Sequence, residues 1–104
     1  MRANNRFIQI IKSEKPVLVD FYADWCQPCK QIQPVLKDMK TAFKENIRIL
    51  KVNVDQNPLI ASQFRIKSIP TLILFKSGNI KWTNEGLVPG PELAAVISQY
   101  LAEY

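Results

Sequence analysis

Two cysteines stand three residues apart, in the segment Trp25-Cys26-Gln27-Pro28-Cys29-Lys30. Two chemistries fit that spacing. One thiolate can attack a disulfide while the second thiol resolves the mixed disulfide, or a pair of thiolates can supply part of a zinc site. A disulfide closing so small a loop constrains the unfolded chain little, so a purely structural staple is the poorest reading. Tetrahedral zinc needs about four ligands, and the sequence has no further Cys and no His. A metal would have to bridge two chains or recruit carboxylates, so no metal site is expected. The missing histidine also excludes Cys-His and Ser-His-Asp catalysis. Any base must be a carboxylate, a lysine, a tyrosine or a thiolate.

The elements that would position these sulfurs are readable from periodicity. Val17-Leu18-Val19-Asp20-Phe21-Tyr22 is a nearly unbroken apolar run, suited to a central strand buried on both faces. Cys29, Ile32, Leu36, Met39 and Phe43 fall at steps of three and four, the stripe of a long helix, and Pro34 should kink it. The helix is expected to begin near Gln27 or Pro28. Cys26 then sits at its N-terminus, where backbone N–H groups and the macrodipole favour a negative charge. Cys29 falls one turn inside, on the apolar stripe. Cys26 is therefore expected as the exposed nucleophile and Cys29 as the buried resolving thiol.

The remaining elements follow in order. A short helix is expected over about 5–13 and a strand over Ile47 to Val54. A helix with Pro58 at its first position, capped within Asp55 to Asn57, should end near Arg65. A strand is expected over Thr71 to Phe75, then a turn at Ser77-Gly78-Asn79 and a returning strand from Ile80 to Thr83. A last helix should start near Pro91, with Leu93, Val96, Ile97, Tyr100 and Leu101 as its buried stripe. Alternating elements imply parallel strands with right-handed crossovers, and the hairpin adds an antiparallel strand. The expected class is an α/β sandwich, one domain over residues 1–104.

Composition narrows the function classes. Net charge is +5, and residues 1–52 hold ten Lys/Arg against five acids, whereas 53–104 hold four against four. The basic residues are dispersed without a basic run or interleaved aromatics, so no nucleic-acid partner is expected. No run of about 18 apolar residues exists, so no membrane span is expected. The N-terminus lacks the apolar core of a secretory signal, and cytoplasm is the default expectation.

Together these segments resemble the thioredoxin family. Val19 to Lys30 is similar to its active-site strand and helix start. Pro34 resembles its helix kink, Lys51 to Asp55 its third strand, Ile69-Pro70-Thr71 its cis-proline loop, and Gly86 its late glycine. The resemblance implies a thioredoxin-like three-layer sandwich with about four helices. The sheet would be mixed and four-stranded, because the family's first strand would have to precede Met1. The 47–54 strand then becomes an edge, blunted by Arg48 and Lys51. A monomer is favoured, with an edge-to-edge dimer as the alternative.

The resemblance also implies roles. Asp20, in the most apolar strand, would have a raised pKa through burial and would move a proton to and from Cys29. Lys51 would lie near Asp20. Pro70 would face the disulfide as a cis proline, and the Ile69 backbone would pair with an extended substrate. Trp25, Gln27, Pro28, Gly86 and Leu87 would line the docking surface. Gln27 stands where the family usually has Gly, which leaves the reduction potential open, and Glu85 stands where an apolar residue is common. The expected activity is reduction of protein disulfides by the Cys26/Cys29 dithiol. No tightly bound cofactor is implied, and a flavoenzyme thioredoxin reductase would restore the thiols. The competing readings are a more oxidising oxidase or isomerase of the same fold, and a non-catalytic binding module.

Overall fold

The computed structural model of the protein describes the backbone of residues 2–101 and the side chains of residues 5–101. Helix α1 (Arg2–Ile11) leads to β1 (Val17–Tyr22), followed by α2 (Gln27–Gln31) and α3 (Gln33–Phe43). A single 3-10 turn (Lys44–Asn46) precedes β2 (Arg48–Asn53), and α4 (Pro58–Gln63) precedes the β3 (Thr71–Lys76) and β4 (Asn79–Glu85) hairpin. Helix α5 (Gly90–Leu101) ends the described chain. The sheet order is β2-β1-β3-β4. β1 pairs with β2 in parallel and with β3 antiparallel, and β3 pairs antiparallel with β4. This is the mixed four-stranded sheet expected from the sequence.

β1 sits inside the sheet, and Val17 to Phe21 are all 0% exposed. Side chains alternate faces along a strand, so β1 feeds two cores. Leu18, with Leu72 and Leu74 of β3, packs against Ile32, Leu36, Met39, Leu93 and Ile97 of the α3/α5 layer. Val17, Val19 and Phe21 join Phe7, Ile11, Ile60 and Phe75 on the α1/α4 side. Asp20 has the parity of Leu18, so it points toward the layer that carries α2 and α3. One polar residue in a period-two run is thereby aimed under the cysteine-bearing helix.

The long helix is divided at Ile32, which caps α2 and opens α3 with φ −81° and ψ −14°. Pro34 lacks an N–H, and its ring conflicts with the carbonyl four residues back, that of Lys30. The path nonetheless continues, since Ile32 N–H donates to Pro28 O at 3.3 Å and Leu36 N–H to Ile32 O at 3.1 Å. The stripe from Cys29 to Met39 stays buried across the break.

Three local readings are corrected. Helix α1 lies three residues earlier at its start and two at its end than the apolar spacing suggested. The Asn57 side chain does not cap α4; its Nδ2 donates back to Asn53 O at 3.0 Å. Asn53 Oδ1 organises the turn instead, accepting from the N–H groups of Asp55 and Gln56 at 2.9 and 3.2 Å. The hairpin loop is Ser77-Gly78 alone, with φ of 54° and 83°, the positive pair a two-residue type I′ loop demands. Its amides also leave the hairpin: Ser77 N–H donates to Ser13 O at 2.8 Å and Gly78 N–H to Ile11 O at 2.9 Å.

Leu93 is 0% exposed at the centre of the α3/α5 core. Leu93→Ala removes three carbons from a site that cannot fully collapse, with an expected cost of about 2–5 kcal/mol in urea unfolding. The exposed Leu59 of α4 is the control, and Leu59→Ala should change stability by less than about 0.5 kcal/mol.

Candidate active site

Cys26 and Cys29 are joined as a disulfide, with their Cα atoms 5.3 Å apart. The strand delivers them directly: β1 ends at Tyr22, and the chain turns through Ala23 to Trp25 before α2 starts at Gln27. Cys26 N–H donates to Ala23 O at 3.2 Å, closing that turn. Cys26 is the N-cap of α2 with φ −89° and ψ 111°, and its Sγ accepts the Cys29 N–H at 3.2 Å. A sulfur therefore occupies the position where capping side chains take up a free helical N–H. Pro28 falls in the first turn, where its missing N–H costs nothing.

The expectation of an exposed Cys26 is corrected. In this oxidised form Cys26 is 4% exposed and Cys29 2%. Both pack with Ala23, and Tyr22, Val54 and Ile69 close around them. The Cys26 Sγ lies 3.8 Å from Ile69 O, so the loop before Pro70 covers what the helix terminus would otherwise leave open. The two sulfurs differ in helical position more than in accessibility.

The covering loop is tied down on both sides. The Ile69–Pro70 peptide bond is cis, and Pro70 O accepts the Gly86 N–H at 2.8 Å. Gly86 has φ 92°, a conformation that side-chain-bearing residues rarely adopt. Thr71 Oγ1 donates to Ser68 O at 2.6 Å, Ser68 Oγ to Glu85 Oε1 at 2.8 Å, and Asn84 Nδ2 to Gly86 O at 3.1 Å. Glu85 thus has a structural contact at the loop.

Around the disulfide an apolar residue, Trp25, stands among polar neighbours. Trp25 is 70% exposed, and its Nε1 donates to Asp55 Oδ2 at 2.8 Å. Gln27 and Pro28 are exposed. Leu87, also exposed, lines a groove of about 420 Å³ with Ile32, Val35, Val88 and Pro89. Trp25 and Cys26 from the turn after β1, Gln27 and Pro28 from the first turn of α2, and Ile69 and Pro70 from the loop before β3 meet at the disulfide. Leu87 lies with the α2/α3 layer.

Beneath the disulfide lies Asp20, 0% exposed. Burial pushes its carboxyl above the ordinary value of 3.8, while a hydrogen bond from Gln33 and the positive charge of Lys51 pull it partly back. Gln33 Nε2 donates to Asp20 Oδ2 and to Cys29 O, each at 3.1 Å. Asp20 Oδ1 and Gln33 Oε1 are buried without a hydrogen-bond partner among the described residues. A proton on Oδ1 turns one of these orphan acceptors into a donor, which is the state that burial favours. Lys51 is the direct neighbour of Asp20 in the β1/β2 register. With Tyr22, Cys29, Lys30 and Gln33 it lines a cleft of about 250 Å³ that reaches in beside the inner cysteine.

Sequence reasoning missed Gln33 and Asp55. Gln33 was legible in outline, because a carboxyl in an apolar strand needs a donor and Gln33 stands one turn after Cys29. Asp55 had no such signal, since only the folded turn of Asn53 brings it to Trp25. Among the described residues no group of three His, Cys, Asp or Glu is placed to hold a metal ion. No helix among them is long and apolar enough to cross a membrane.

Comparison with known proteins agrees with this geometry. The Thioredoxin family model matches residues 1–99. A thioredoxin of Acidithiobacillus ferridurans is 42% identical over 92 residues, covering 88% of this chain and 85% of that one. One from Haemophilus influenzae is also 42% identical over 92 residues, covering 88% and 86%. The structure of mitochondrial thioredoxin 3 from Saccharomyces cerevisiae in its oxidised form superposes with a TM-score of 0.82 at 32% identity. It covers 92% of this chain and 89% of the yeast one. A mutant thioredoxin from Halobacterium salinarum gives a TM-score of 0.84 at 31% identity, covering 96% and 87%.

The raised Asp20 carboxyl sets the sign of a pH effect. The folded state holds this proton more tightly than the unfolded chain does. Stability from the group is fully present below the unfolded value of 3.8 and is lost as pH rises through the raised folded value. Asp20→Asn, which cannot ionise, should therefore unfold at higher urea than the parent at pH 8, with the gap closing toward pH 3.5. An unchanged gap across that range would mean that the carboxyl does not carry the penalty.

Proposed function

The chain belongs to the thioredoxin family and is a protein-disulfide oxidoreductase of that type, and from this premise we propose that it serves as a general reductant of protein disulfides. The observation that carries the reading is the Cys26–Cys29 disulfide at the start of α2, with Cys26 capping the helix against the Ile69–Pro70 loop. No tightly bound cofactor enters, because the redox centre is the cysteine pair itself.

In the reduced chain the Cys26 thiolate attacks one sulfur of a substrate disulfide. The substrate S–S bond breaks, the leaving sulfur departs as a thiolate and takes a proton, and Cys26 is held in a mixed disulfide. Cys29 then gives its proton to the Asp20 carboxylate, and its thiolate attacks Cys26 Sγ. The mixed bond breaks, and the second substrate sulfur leaves as a thiolate and takes a proton from solvent. Two electrons have passed to the substrate, and the chain holds the disulfide described above. A flavoenzyme thioredoxin reductase returns the two electrons.

Each surrounding group has a part in this reading. The helix-opening N–H groups favour charge on Cys26. The Ile69 backbone receives an extended substrate segment beside Pro70, and Trp25, Pro28, Gly86 and Leu87 offer it an apolar seat. Gln27, first residue of α2, tunes the potential. Lys51 keeps Asp20 able to give up its proton again. The working form is a monomer in the cytoplasm, and no nucleic acid or membrane takes part.

Insulin reduction driven by thioredoxin reductase tests the reading. Cys26→Ser should lose turnover by at least about a hundredfold. Cys29→Ser should accumulate a covalent adduct of chain and insulin, visible by intact mass. Equilibration with a glutathione buffer should leave the pair mostly oxidised, because a potential near about −270 mV lies below that of the buffer, whereas a pair near about −120 mV would be held reduced. A pair that the buffer holds mostly reduced would overturn the reducing direction while leaving the exchange chemistry in place.

A further inference from the structure

β2 forms one edge of the sheet. Its bonds to β1 use alternate residues: Arg48 N–H donates to Pro16 O at 3.0 Å and Val54 N–H to Tyr22 O at 2.8 Å. The parallel ladder between them therefore turns the N–H and C=O groups of Ile49 and Lys51 away from β1. No described strand lies on that side. An edge of this kind is a template for another strand.

What lies along the edge selects the strand. Between α3 and β2 runs a groove of about 460 Å³ whose apolar lining is Leu36 and Ile49. Its charged lining is Lys37, Lys40, Arg48 and Lys51, and no carboxylate lines it among the described residues. Lys40 is held in place, its Nζ donating to Lys44 O and Ile47 O at 3.0 and 3.1 Å. Four cations beside a row of open backbone groups call for an occupant with both an extended peptide backbone and negative side chains. A second copy of this chain fits poorly, because edge-to-edge pairing sets one group of four cations against another. A nucleic-acid strand would meet the cations and leave the peptide groups unpaired, and no aromatic ring among the described residues lines the groove for its bases.

We propose that the outer edge of β2 takes an extended, acidic segment of a protein partner as a fifth strand. Main-chain bonds to Ile49 and Lys51 provide the pairing, alternate apolar side chains reach Leu36 and Ile49, and carboxylates meet Lys37, Arg48 and Lys51. The groove shares Gln33 and Lys51 with the cleft beside Cys29. A segment bound there lies next to the dithiol without covering Trp25 or the Ile69–Pro70 loop. The inference stands whichever direction electrons flow through the cysteines.

The probe is a short peptide alternating Glu with Val, titrated into the full oxidised chain at low salt. It should bind at least about tenfold more tightly than its Lys-for-Glu counterpart, and rising salt should weaken it. Binding should slow hydrogen exchange at the Ile49 and Lys51 amides and leave the already paired Leu50 amide unchanged. The double variant Lys37→Glu, Arg48→Glu should lose peptide affinity by at least about tenfold while keeping insulin reduction. Failure of the Glu–Val peptide to bind overturns the proposal, as does equal binding of the Lys peptide. Binding without slowed exchange means a charged patch and no added strand, and overturns it too. So does displacement of the peptide by an equal concentration of oligo-dT. Slow exchange at Ile49 and Lys51 before any peptide is added would show the edge already covered by the chain itself or a second copy, and would also overturn it.

Discussion

A carboxyl group placed inside a fully apolar strand is the constraint around which this molecule is arranged. Asp20 shares the face of Leu18 and is 0% exposed, and among the described residues its carboxyl is supported by a single donor, Gln33. A satisfied carboxylate would accept several hydrogen bonds. Burial raises its pKa, and the Gln33 bond and the charge of Lys51 pull it partly back. Gln33 also holds the Cys29 carbonyl, so one side chain relates the buried acid to the inner cysteine. A buried titratable group of this kind costs stability at the pH where it ionises, a compromise found where stability is traded for function.

The remainder of the architecture holds two loops against each other. The turn after β1 delivers Cys26 to the start of α2, which carries Cys29, and the segment before β3 covers both. Neither is a regular element, so neither has a ladder of its own. Their rigidity comes from short ties: Ala23 O to Cys26, Pro70 O to Gly86, Ser68 to both Glu85 and Thr71. Residues placed on loops but anchored to a sheet combine access with precision, the usual arrangement of a reactive site.

Most of the scaffold was legible because its signals are local and periodic. The run Val17 to Tyr22, the stripe from Cys29 to Phe43 and Pro58 at a helix start each predict an element from its own residues. The sheet's open edge was also legible, once the resemblance implied four strands. What escaped depends on contacts distant in sequence. Burial of Cys26 is imposed by Ile69, forty-three residues away. The Trp25–Asp55 bond spans thirty residues, and its geometry comes from the Asn53 turn. Asn57 stands at the N-cap of α4 as expected but makes no side-chain bond there, for a related reason: Asp55, Asn57 and Asn53 all have capping chemistry, and only the fold decides which oxygen faces which amide. The roles of Pro70, Gly86 and Leu87 rested on resemblance alone, since no physical rule about a lone proline or glycine reaches them.

The hairpin loop illustrates how a small motif can limit sequence change over long times. β3 runs antiparallel to β1, so Ser77-Gly78 lies at the pole of the sheet remote from the cysteines. Its two amides are committed to Ser13 and Ile11 at the close of α1. Hairpin tips ordinarily absorb insertions and deletions with little harm. Here one added residue would undo both the strand register and the docking of the first helix, so length variation among descendants of this chain should be excluded at the tip, where a distal loop would otherwise drift freely.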